Sequence, residues 1–233
     1  MSESDQHQPV LPEPTEFPES YTEITVRGPV GRLEALAEPP EEEDAGVTAV
    51  ICSPAESIGT MHSKVVHIIE RSMRELGAAT VRFNYRGVGA SDGDPDSGIG
   101  EAKDLLAITN WVQRIRPGSE LWLGGYGFGA YVAILGCQKL PATQLVTVAP
   151  PVEQYDFDTL PEPRCPWLLI QGEADELVDP DAVRGWADGL EAPPQLLLMA
   201  EADHSFHRRL MDLRGAIKNG IRRQQRSDTD PTG

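Results

Sequence analysis

The chain alternates short apolar runs with stretches whose apolar residues recur at helical spacing, and no other feature restricts its fold as strongly. Residues 47–52, VTAVIC, are a continuous β-branched run bounded by turn residues, the pattern of a strand buried on both faces. Residues 61–76 follow with Val65, Val66, Ile68, Ile69, Met73 and Leu76 on one helical face. Further strands are predicted at 79–83, 121–123, 144–148, 167–171 and 195–199, and further helices at 101–115, 128–138, 180–190 and 208–223. Pro180 fits the first turn of its helix. Two strands at 21–26 and 31–37, joined by a turn containing Gly28 and Pro29, precede the series. The expectation is an α/β fold: a mainly parallel sheet with helices on both faces and antiparallel strands at its N-terminal edge.

Length and charge bound the rest. At 233 residues the chain suits one domain, expected at 20–226. Residues 1–19, proline-rich among acids, read as a disordered arm, and 227–233 as a disordered tail. The net charge of -17 argues against nucleic acid or an anionic membrane as partner. Three cysteines, Cys52, Cys137 and Cys165, with no secretory h-region at the start, predict reduced thiols and a cytoplasmic protein. No apolar run approaches the roughly 18 residues of a membrane span.

The residues that bear on chemistry centre on 121–130, LWLGGYGFGA, where an apolar run enters a glycine cluster and leaves as a helix. With IGTMHSKVVH at 58–67, VRFNYRGVGASDG at 81–93, IQGEADELVDP at 170–180 and ADHSFHRRL at 202–210, it resembles the small lidless bacterial α/β-hydrolases of the dienelactone-hydrolase and serine-esterase type. In the GxSxG elbow of that fold the central serine is the nucleophile. Here Gly127 occupies its place. The resemblance implies Asp175 as triad acid and His204 as base, in the usual chain order. It also implies one oxyanion donor in the N–H of Phe128. The second falls at Pro54, which has no N–H, or one residue on at Ala55. Arg86 and Tyr126 are expected at the rim of the site, Arg86 bracing its loop through charge-assisted hydrogen bonds.

Such a site implies a small acyl or ester-type ligand and no cofactor. Either it has lost covalent hydrolysis and retains binding, or His204 and Asp175 drive water or an unusual nucleophile, for which Ser53, Ser57 and Cys52 are the nearby candidates. Glu173, Glu176 and Asp179 compete with Asp175 for the acid role. His207 with Asp203 invites a metal reading, but no second ligand motif accompanies them, so no metal is expected. The glycine-rich loop at 86–93 lacks the order of a phosphate cradle and reads as a tight turn.

Overall fold

The structure, a computed structural model, describes residues 12–229. Its strands are β1 (Thr22–Arg27), β2 (Arg32–Glu38), β3 (Val47–Cys52), β4 (Ala78–Phe83), β5 (Glu120–Tyr126), β6 (Ala142–Val148), β7 (Trp167–Gly172) and β8 (Gln195–Met199). They form one sheet in the order β1-β2-β4-β3-β5-β6-β7-β8. The pairs β1 with β2 and β2 with β4 are antiparallel; all later pairs are parallel. The helices are α1 (Lys64–Arg74), α2 (Ile99–Ile115), α3 (Phe128–Gly136), α4 (Pro180–Asp188) and α5 (Leu210–Thr229). Among the described residues no helix is long and apolar enough to cross a membrane.

Alternation along the strands divides the core. Val50 and Cys52 of β3 face one way, with Leu105 and Trp111 of α2 and Val132 of α3. Ala49 and Ile51 face the other, with Ile69 of α1 and Leu213 and Ile217 of α5. Both faces are covered, which is why the central strands read as unbroken apolar runs.

Three elements depart from expectation. β5 extends through Gly124 and Gly125, where the apolar signal stops, because both still pair with β3 and a side chain on Gly124 would press on Ile69 at 2.9 Å. α5 passes the expected end at 223 and carries its backbone to Thr229, into the expected tail; no glycine or proline intervenes before Pro231, and Gln144 donates to Gln224 at 2.8 Å. The expected arm is corrected in part. Residues 1–11 lie outside the described residues, but 12–19 pack on α2. Phe17 lies 6.2 Å from the Trp111 ring, the Trp111 indole donates to the Pro14 carbonyl at 2.9 Å, and Glu13 pairs with Arg114. One aromatic, Phe17, closing over the fully buried Trp111 outweighs the acidic, proline-rich composition.

Candidate active site

The site assembles at the carboxyl ends of parallel strands, where α/β sheets open crevices between diverging loops. β5 ends at Tyr126, and Gly127 turns the chain into α3 with φ 56° and ψ -124°. The three elbow glycines are glycine for different reasons. A Cβ on Gly125 would fall 2.2 Å from the Gly129 carbonyl oxygen, and one on Gly129 2.3 Å from that of Cys52, so close backbone approach demands both. At Gly127 a Cβ would meet only ordinary contacts, Pro54 Cβ at 3.8 Å and His204 Nε2 at 4.0 Å. Space for a side chain is present there; only the positive φ favours glycine.

Asp175 and His204, expected as acid and base, are brought together from the loops after β7 and β8. Nδ1 of His204 lies 3.1 and 3.0 Å from the two carboxylate oxygens, and both side chains are buried. An ionised carboxylate only accepts, so Nδ1 carries a proton, and in the neutral imidazole this tautomer leaves Nε2 as the acceptor, towards the Cβ position of Gly127. Burial works to raise the Asp175 carboxyl, but the His204 partner and the N–H groups of Leu177 and Val178, each at 2.9 Å, hold it below its ordinary value. The Gln171 amide donates to its other oxygen at 3.0 Å.

The competing acids have other work. Asp179 caps α4 by accepting from Asp181 N–H at 2.9 Å, Glu176 accepts from the backbone N–H of His204 at 3.3 Å, and Glu173 is exposed. Asp203 accepts from the Ser205 hydroxyl and the His207 N–H, which accounts for the Asp203 and His207 pattern as a turn. Among the described residues no three His, Cys, Asp or Glu side chains gather as metal ligands.

Tyr126, expected at the rim, lines a cleft of about 640 Å³ with His204 and Glu176. It is buried beneath His204, ring centroids 5.2 Å apart, and its hydroxyl donates to the His204 carbonyl at 3.2 Å. Burial and the nearby Asp175 and Glu176 push that phenol up, so it stays a donor. Arg86 is buried as well and braces its loop by a paired contact from Nε and Nη2 to Asp104 at 3.0 and 2.7 Å, while one edge lines a cleft of about 220 Å³ with Ala55, Phe128 and Tyr155. The loop that it braces turns at Gly87, Gly89 and Gly93, all at positive φ.

Phe128 is the first residue of α3, so its N–H has no acceptor one turn back within the helix. It borders a cleft of about 290 Å³ with Gly127, Ala55, Tyr155 and His204. Pro54 stands beside Gly127, and of the two candidate positions for the second donor Ala55 is the one with an N–H. Among the candidate substitute nucleophiles, Ser53 is buried and donates to the Phe83 carbonyl at 2.6 Å. Cys52 is buried with its thiol pushed up to about 12 by desolvation, and only Ser57 borders the cleft. Gln171 and Tyr155 were not singled out by sequence; the amide closing the otherwise apolar run WLLIQ was the available signal for Gln171.

A parallel sheet with a tight turn after β5, and a buried His204–Asp175 pair from the two outer loops, is the arrangement of an α/β-hydrolase. The chain matches the alpha/beta hydrolase domain over residues 58–223 and belongs to that family. It is similar to an α/β serine hydrolase without a lid from Xanthomonas campestris, at 45% identity and a TM-score of 0.86 over 89% of this chain and 96% of that one. An α/β serine hydrolase homologue from Coxiella burnetii is 37% identical, with a TM-score of 0.85 over 88% of this chain and 100% of that one. An uncharacterized protein of Rickettsia prowazekii is 28% identical over 84% of this chain and 87% of its own length.

Proposed function

We propose that this chain is a serine-esterase scaffold that binds a small acyl or ester-type ligand and carries out little or no covalent hydrolysis. The observation that carries this is Gly127: a turn with room for a side chain, facing Nε2 of His204, with no oxygen to attack. The N–H of Phe128, with that of Ala55, is the oxyanion pair in this reading, and such donors polarise a bound carbonyl with or without a nucleophile. The acidic surface supports a small-molecule ligand over nucleic acid, and the three free cysteines suit a cytoplasmic setting.

A second reading rests on the intact pair of His204 and Asp175. With the Cβ position of Gly127 open, a water there lies within reach of Nε2 and attacks a reactive ester directly. Removal of one triad member leaves roughly 10³ to 10⁴-fold catalysis over water in serine proteases, so such turnover is slow. Steady-state assays of the native protein with short p-nitrophenyl esters and thioesters test both readings. Ordinary esterase rates contradict the first, and residual turnover unchanged in His204→Ala contradicts the second.

A further inference from the structure

The cleft of about 290 Å³ beside Gly127 continues, on the side away from His204, into the cleft of about 220 Å³. Ala55, Phe128 and Tyr155 line both, whereas His204 lines only the first. The smaller cleft therefore opens past the two proposed oxyanion donors and away from the base.

Its walls are aromatic. The rings of Tyr85 and Phe128 meet edge to face with centroids 5.7 Å apart, and Tyr155 packs 5.0 Å from Phe128. Tyr85, Phe128 and the adjoining Val88 are buried, so core packing fixes this side of the cleft. The two buried charges in the wall are already held. Arg86 is pinned through Nε and Nη2 to Asp104, and Glu101 accepts from the N–H groups of Asp96 and Gly98, each at 2.7 Å. Glu56, the other carboxylate of the lining, is exposed.

Such walls select a π system. Aromatic side chains pack a flat ring edge to face or offset, and a fixed guanidinium attracts the face of a ring; a saturated group of the same size gains neither. The size agrees: an apolar cavity of about 150 Å³ takes benzene, and this cleft holds about 220 Å³. The Arg86 and Asp104 pair, with Glu56 exposed nearby, leaves no net positive charge for an anionic substituent. We propose that this cleft is an aryl subsite and that the acyl half of the ligand is a single uncharged aromatic ring. The ring preference stands on the cleft alone. Its placement in the acyl half rests on the hydrolase reading above, in which the departing group takes its proton at Nε2 of His204 and so lies on the other side of the carbonyl.

The test titrates native protein, followed by nuclear magnetic resonance, with neutral amides that an esterase does not cleave. These are N-butylbenzamide, its saturated counterpart N-butylcyclohexanecarboxamide, and N-phenylpentanamide, an isomer of the first with the ring on the nitrogen side. N-butylbenzamide is expected to bind about three- to fivefold more tightly than either. Tyr155→Leu, which replaces a half-buried ring of the lining, shrinks its preference over the cyclohexyl compound. Equal or tighter binding of the cyclohexyl compound, binding of no probe, or a preference unchanged in Tyr155→Leu overturns the aryl subsite. Equal or tighter binding of N-phenylpentanamide overturns its placement in the acyl half. A fluorophosphonate applied to Gly127→Ser keeps the two readings apart. Labelling without an aryl preference sinks the subsite alone, whereas absence of labelling with the preference intact sinks the hydrolase scaffold and leaves the subsite standing.

Discussion

A Cβ built on Gly127 stands 4.0 Å from Nε2 of His204. A hydroxyl on that carbon would come within hydrogen-bond reach of the imidazole, the relation that a nucleophile and its base require. The elbow therefore keeps the geometry for a side chain that it lacks.

The three elbow glycines are predicted to respond differently to alanine. Gly127→Ala costs about 1–2 kcal/mol, from positive φ alone. Gly125→Ala and Gly129→Ala each drive a methyl into backbone and cost about 3 kcal/mol or more, or prevent folding. Denaturant unfolding gives the order.

Asp175→Asn keeps an acceptor for the Leu177 and Val178 N–H groups but removes the charge that holds the His204 tautomer. In a Gly127→Ser background, ester hydrolysis is expected to fall by about 10³ to 10⁴-fold with little change in melting temperature. A loss under tenfold in kcat/KM shows that the pair does not act as acid and base.

Glu75 ties α5 to α1 through Arg214 and, at 2.7 Å, Lys218. Its side chain is 7% exposed; desolvation raises the carboxyl, but the two cations outweigh it and bring it to about 2. The folded value lies below the unfolded one, so this contribution is complete above the ordinary glutamate range and is lost as pH falls towards 2. Glu75→Gln is expected to cost about 1–2 kcal/mol at pH 7 and progressively less in acid. Chemical denaturation at pH 7 and pH 3 reads the difference; an equal cost at both contradicts it.

Phe17→Ala is expected to lower stability by about 1–2 kcal/mol and to red-shift tryptophan emission, because it uncovers Trp111. A disordered segment would give no change in either.

Periodicity located the sheet well because the central strands are buried on both faces; β3 begins and ends where VTAVIC does. It failed where side-chain pattern and backbone pairing part company, as at Gly124 and Gly125 in β5. The docked segment at 12–19 was hidden because one ring, Phe17, outweighs a disordered composition. Order along the chain brought Asp175 and His204 into view. It left Asp175 among four acids, since the choice depends on a partner 29 residues away, and it did not reveal that Tyr126, which lines the large cleft, is also buried beneath His204. That Gly125 and Gly129 are forced while Gly127 is not emerges only from three-dimensional clearances.

The central claim is that one missing side chain separates this chain from a working serine hydrolase. Fluorophosphonate labelling of the native protein beside Gly127→Ser, with Gly127→Ser/His204→Ala as control, tests it directly. The account predicts labelling in Gly127→Ser alone, together with new p-nitrophenyl ester hydrolysis. Labelling of the native protein, or none in Gly127→Ser that is shown to be folded, would contradict it.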